Sequence, residues 1–287
     1  MNEFVIFTDS GCDIKPHMLD KWGVEYINLT FRFDNEDKSY LNFEMPTGEF
    51  YEKMRGGAVA KTAAVNPDAF IASFEKILKE GKDILHLAFS SGLSTTYNSA
   101  RIAAESLKES YPERKITVID TLAASAGQGL LVYLAKKKKD EGATLEENAE
   151  YVKSLIFKLC HWFTVDDLVY LKRGGRVSAT TAFVGNMLGI KPVMHVDNEG
   201  HLVNVLKVRG RKTAIATLAD KYGELRLDGD YEVFISHGNC IEDAQQLADI
   251  IETKYGTKTT LISDVGPVIG AHSGPGTLAL FFVGKER

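Results

Sequence analysis

Three groups of residues in this 287-residue sequence have side chains able to do chemistry. The first is Ser90-Ser91-Gly92-Leu93-Ser94-Thr95-Thr96, five hydroxyls within seven residues. The second is His272, between Gly266-Pro267 and Gly274-Pro275. The third is Arg173 and Arg176 around Gly174-Gly175. A serine beside a histidine base suggests acyl transfer, but Gly92-Leu93-Ser94-Thr95-Thr96 lacks the second glycine of the G-x-S-x-G elbow. Hydroxyls at a helix N-terminus, where N–H groups lack partners and the dipole is positive, can hold a carboxylate or another anion. Their plainer role is capping. Two cations on a tight turn can also grip a carboxylate or phosphate, with a surface ion pair as the plainer role. No G-x-x-x-x-G-K-[ST] is present, and no G-x-G-x-x-G follows a strand. The prolines around Gly270, Gly274 and Gly276 predict a rigid turn there, not a phosphate cradle. The seven histidines show no metal-ligand spacing, so no metal and no cofactor are expected.

The elements that must position these groups follow from the apolar pattern. Residues 4–8 and 84–89 are apolar with little alternation, as in strands buried on both faces. The first ends at Asp9 and the second at the hydroxyl turn. Helical spacing follows, with Ala100, Ala103, Ala104 and Leu107 on one face. Further strands are predicted at 26–33, 59–62 and 116–119. Helices are predicted at 15–22, at 47–54 with Thr47 as cap, at 66–79 from Asn66-Pro67, and at 123–138. Thr144-Leu145-Glu146-Glu147 fits a capping box that opens a helix to about 158. Alternating strands and helices imply a mostly parallel sheet with helices on both faces. Asp9 and the hydroxyl turn then share its carboxyl edge, where open α/β sheets bind ligands.

The second half differs. It reads as a strand at 162–165, a helix at 178–186 capped by Ser178, and a hairpin of 190–196 and 202–208 about Asp197-Asn198-Glu199-Gly200. After these come helices at 213–222 and 241–255 and strands at 231–237, 259–264 and 278–283. The fold class is therefore two-domain α/β, with residues 1–158 as the first domain and 159–287 as a mixed α/β second domain.

Hydrophobic content of 44% and charged content of 25% suit a globular protein. The formal net charge of -5 argues against nucleic acid, and no recognition helix with clustered bases speaks for a transcriptional module. Lys136–Lys139 reads as a solvated helix end. Cys12, Cys160 and Cys240 form no CxxC. The start carries no signal-peptide pattern and no apolar run approaches ~20 residues, so a cytoplasmic location is expected.

In order along the chain, Phe7-Thr8-Asp9-Ser10, Lys61-Thr62, Ser91 to Ala100, Val118-Ile119-Asp120, Gly174-Gly175-Arg176-Val177-Ser178, Gly185 to Pro192, and Gly270 to Gly276 resemble the DegV family. The likeness runs from about residue 4 to 283. It implies a two-domain protein that holds one long-chain fatty acid between its domains and is not itself catalytic. It also implies, as a partner, a fatty acid kinase that phosphorylates the presented carboxylate. By this likeness Thr62, Ser94 and His272 bind the carboxylate and Arg176 supports the head-group site. Ser91, Gly92 and Thr95 belong to the supporting loop, and Arg209 to a partner or transient membrane contact. Two departures fall beside the head group: Ala63-Ala64-Val65 replaces the usual Ser-Gln-Pro, and Thr95 stands where glycine is frequent.

Burying a sixteen-carbon chain is worth about 11–12 kcal/mol at ~0.8 per methylene, enough for tight binding after association costs. An acyl tunnel is expected mainly in the second domain, lined by some of Phe163, Leu168, Phe183, Val184, Met187, Leu188 and Ile190. The carboxylate needs donors, since unpaired burial costs several kcal/mol. Two hydroxyls, an imidazole and a helix N-terminus supply them without any reaction. The competing reading is a Ser-dependent esterase or acyltransferase using Ser94.

Overall fold

The computed structural model describes residues 3–177, 189–229 and 231–287. The first half runs β1 (Phe4–Asp9), α1 (Pro16–Trp22), β2 (Val24–Ile27), β3 (Thr30–Phe33), β4 (Tyr40–Leu41), α2 (Thr47–Arg55), β5 (Ala60–Ala63), α3 (Pro67–Lys79), β6 (Asp83–Ala88), α4 (Thr96–Leu107), β7 (Ile116–Asp120), α5 (Ser125–Asp140) and α6 (Leu145–Ile156). The second runs β8 (Leu159–Thr164), α7 (Val169–Arg173), β9 (Ile190–Val196), β10 (Leu202–Arg209), α8 (Arg211–Leu225), β11 (Val233–His237), α9 (Ile241–Tyr255), β12 (Leu261–Asp264), α10 (Pro267–Ser273) and β13 (Leu278–Val283).

The fold is two-domain α/β. Strands β2-β1-β6-β7 form a parallel sheet, and successive residues feed opposite cores. Phe7 and Ile84 pack with Phe70 and Phe74 of α3 and Ala100 of α4. Ile6, Leu85 and Leu87 pack with Leu19 of α1, Leu130 of α5 and Val152 of α6. Cover on both faces is why these strands are apolar without alternation. A small antiparallel sheet, β4-β3-β5, lies beside it. The second half forms one mixed sheet, β10-β9-β8-β13-β11-β12, parallel only between β11 and β12. Among the described residues no sheet mixes strands of the two halves, yet Leu130 and Val152 share a core with Phe163 and Phe281.

Local signals explain two of the helix starts. The Ala69 N–H donates to the Asn66 side chain (2.9 Å), with Pro67 opening α3. Thr144 and Glu147 complete the capping box of α6. Three expectations need correction. Residues 26–33 are not one strand: β2 and β3 belong to different sheets, because the Leu29 N–H donates to Ser10 Oγ (2.9 Å) and leaves the ladder. Thr47 does not cap α2, whose N-cap position is Pro46. Residues 267–273 are helical, not a rigid turn. Gly266 offers α10 no side-chain cap, so Asn42 supplies one from a distant loop, its Oδ1 accepting from the Val268 N–H (2.8 Å). The predicted helix at 178–186 lies outside the described residues.

Candidate functional site

Helix α10 is the element that brings the site together. It comes from the second half but rests on the first. Asn42 caps it, and the Tyr51 hydroxyl donates to the Val265 carbonyl just before it (2.9 Å). Gly270 permits the contact, since a Cβ there would stand 2.5 Å from Tyr51 Oη. So seated, α10 carries His272 to β5, where Nε2 is 2.8 Å from Thr62 Oγ1 across 210 residues of sequence. Thr62 reaches it because β5 alternates, with Lys61 and Ala63 outward and Thr62 turned in.

The loop after α7 forms the opposite wall. A Cβ on Gly174 would lie 2.1 Å from His272 Nδ1, so this backbone is pressed against the imidazole. Gly175 follows at φ +70°, which turns the chain sharply. Arg176 then points back: its Nε–H donates to the Leu93 carbonyl (3.1 Å), and Nη1 donates to the Gly174 carbonyl. Leu93 immediately precedes Ser94, so Arg176 ties the hydroxyl turn to the His272 wall.

Thr62, Ser94, Thr95, Arg176 and His272 all border one cavity of about 260 Å³. Its remaining wall is largely apolar, including Leu29 and Phe89 from the first half and Phe163, Ala279 and Phe281 from the second. An apolar cavity of about 150 Å³ suffices for benzene, so this one has room for a longer hydrocarbon.

The electrostatics are one-sided. Burial, with the nearby Arg176 charge second, pushes the His272 imidazole down to about 4. It is therefore neutral at physiological pH. Burial also lowers Arg176; a guanidinium stays protonated in proteins. Among the described residues the side-chain bonds of Arg176 go to carbonyls and it has no carboxylate partner. His272 Nδ1 is buried and has no hydrogen-bond partner among the described residues. Ser94 Oγ accepts from the Thr96 N–H (3.2 Å) and lies 2.8 Å from Thr96 Oγ1. With Thr96 as donor, the Ser94 proton is free to face the cavity. The arrangement can hold a carboxylate through hydroxyl donors beside a cation that has no carboxylate partner among the described residues.

Other sequence-designated residues are elsewhere. Ser91 is exposed, and its N–H donates to Asp120 (3.1 Å). Gly92 passes so close to the 197–200 turn that a Cβ would meet the Glu199 carbonyl oxygen at 2.8 Å. Neither borders the cavity. Arg209 is exposed on β10 opposite Ile190, away from it. Asp9 is fully buried, its oxygens accepting from the Gly11 and Phe89 N–H groups, so it clamps two strand ends and does not border the cavity. Of the expected tunnel residues Phe163 borders the cavity, Leu168 and Ile190 do not, and Phe183, Val184, Met187 and Leu188 lie outside the described residues. The dyad that an esterase needs is not formed: His272 Nε2 meets Thr62, and Ser94 Oγ meets Thr96. Among the described residues no group of His, Cys, Asp and Glu could hold a metal ion, and no helix is long and apolar enough to cross a membrane. Gly174 was missed as the seat of His272; its only sequence signal was the glycine pair itself. His161, a lone histidine in an apolar strand, was missed as part of the cavity wall.

Fold and site together define a two-domain α/β protein with an apolar cavity walled by both halves and a polar cluster along it. The chain belongs to the DegV family, whose model, described as an uncharacterised protein family, matches residues 3–285. It is 45% identical over 290 residues to a DegV domain-containing protein of Clostridium perfringens, covering 100% of this chain and 99% of that one. Among solved structures it resembles a DegV lipid binding protein of Thermotoga maritima, at 30% identity and TM-score 0.86 over 99% of both chains. It also resembles a fatty-acid-binding DegV family protein of Thermus thermophilus, at 28% identity and TM-score 0.87, covering 99% of this chain and 100% of that one.

Proposed function

We propose that this protein binds a long-chain fatty acid and presents its carboxylate to a fatty acid kinase, without itself catalysing a reaction. The observation that carries the reading is the Thr62–His272 pair beside Arg176, a cation with no carboxylate partner among the described residues, on the wall of an apolar cavity. The related proteins described as lipid- and fatty-acid-binding support it. A carboxylate ligand selects one hydrogen-bond pattern. If His272 Nε2 carries the proton and donates to Thr62 Oγ1, the Thr62 hydroxyl is free to donate to the ligand. The opposite tautomer would turn Thr62 lone pairs towards an anion. Thr62 and Ser94 are then donors, and Arg176 supplies the compensating charge. The protein works in the cytoplasm, and exposed Arg209 serves partner or passing membrane contact.

The test is native mass spectrometry of the purified protein, followed by titration with C14–C18 acids and by acyl-phosphate formation with a fatty acid kinase and ATP. A bound mass in that range, and affinity reduced by about tenfold in Thr62→Val and His272→Ala, are expected. An empty protein with no thermal shift on adding these acids would overturn binding. Binding without acyl-phosphate would overturn delivery to the kinase.

A further inference from the structure

The far wall of the cavity carries a polar group that the carboxylate site does not use. His161 lies on β8, opposite Phe281 of β13, and borders the cavity. It is only 2% exposed, and among the described residues neither Nδ1 nor Nε2 makes a hydrogen bond, a weak contact with the Leu159 backbone aside. The ring stands edge-on to Phe281, with centroids 5.6 Å apart. Space for it is made by Gly127 of α5, where a Cβ would stand 2.5 Å from Cδ2 and Nε2. Two further hydroxyls border the same cavity, Ser125 and Ser236, 3.0 Å apart. An apolar side chain at 161 would satisfy a purely hydrocarbon ligand better, since a buried imidazole with both nitrogens unpaired is costly.

Strand β13 runs along the cavity from the end of the His272 helix to Phe281, the residue paired with His161. Thr277 borders the cavity just after the His272 helix, and Phe281 lies four residues further along β13. That is about 14 Å of strand, or on the order of ten bonds of an extended chain at ~1.2 Å each. Burial holds His161 well below its ordinary pKa, hence neutral, with one nitrogen as donor and the other as acceptor.

We propose that the cavity takes a long-chain acid bearing a hydroxyl near the middle of its chain, with His161 as the hydroxyl's hydrogen-bond partner. This rests on the fatty-acid reading above. A hydroxyl both donates and accepts, so it satisfies His161 in either neutral tautomer. A methylene satisfies neither nitrogen.

The test compares octadecanoic acid with 10- and 12-hydroxyoctadecanoic acid by competitive titration on the full chain and on His161→Phe. At least one of the mid-chain hydroxy acids is expected to bind about tenfold tighter than the parent acid, and the order is expected to reverse in His161→Phe. The ¹⁵N shifts of the His161 ring in the unaltered protein give a second readout, moving with the hydroxy acid but not with the parent. If the parent acid binds and both hydroxy acids bind more weakly, or if His161→Phe leaves the ratio unchanged, this inference fails and the fatty-acid reading stands. If no acid binds, the fatty-acid reading fails and takes this inference with it.

Discussion

Gly174 and Gly175 offer a paired test of whether His272 must sit where it does. At Gly174 φ is -74°, which alanine adopts freely, so Gly174→Ala acts only through space. Its Cβ would stand 2.1 Å from His272 Nδ1, whereas ordinary contact begins at 3.4 Å. The ring or the loop must therefore yield by about 1.3 Å, the difference of those two distances. A shift of that size breaks the 2.8 Å contact with Thr62 Oγ1. Overpacking of this kind costs about 1–3 kcal/mol, and the lost hydrogen bond about 1 kcal/mol. Gly175→Ala is the opposite case: nothing lies within 4 Å, but φ is +70°. Its cost is backbone strain of about 1 kcal/mol. Thermal melts and fatty-acid titrations separate the two. Gly174→Ala is expected to lower both Tm and affinity, the latter by about tenfold. Gly175→Ala is expected to lower Tm with affinity kept within about twofold. Wild-type affinity in Gly174→Ala would refute the claim that the imidazole's position governs binding.

Arg176→Lys keeps the charge but cannot reproduce the fork to the Leu93 and Gly174 carbonyls; a fall of about tenfold in fatty-acid affinity by titration is expected. Asp13 should dominate the pH dependence of stability above the histidine range. Burial raises it to about 8, so the folded state holds a proton that the unfolded state, at 3.8, has lost. Stability then falls as pH rises, by on the order of 1–2 kcal/mol between about pH 6.5 and 8. Asp13→Asn, with a side chain suited to its φ of +53°, should flatten that slope in denaturant titrations at each pH. Asn66→Ala removes the cap of α3; urea unfolding should show a loss of about 1 kcal/mol with fatty-acid affinity unchanged.

Some of this protein is legible from short stretches, because the forces involved act over a few residues. Asn66-Pro67 opens a helix whatever surrounds it, and Thr144 with Glu147 caps another. The unalternating run at 84–88 reads as a buried parallel strand because both its faces must be covered. The family resemblance, carried by blocks such as Gly174 to Ser178 and Ser91 to Ala100, named Thr62, Ser94, Arg176 and His272, and the structure brings all four to one cavity. It also named Ser91, Gly92 and Arg209, which lie outside that wall.

Tertiary structure alone decided the rest. No spacing reveals that Ser10 takes the Leu29 N–H and so divides residues 26–33 between two sheets. Nor does a Gly-Pro-rich stretch disclose that Asn42, 226 residues away, will cap it into a helix. The pressing of Gly174 on His272, the carbonyls that engage Arg176, and the unpartnered nitrogens of His161 are likewise properties of neighbours. A residue's conformational preference is encoded beside it in the chain. Its burial, charge state and partners depend on which distant segment packs against it.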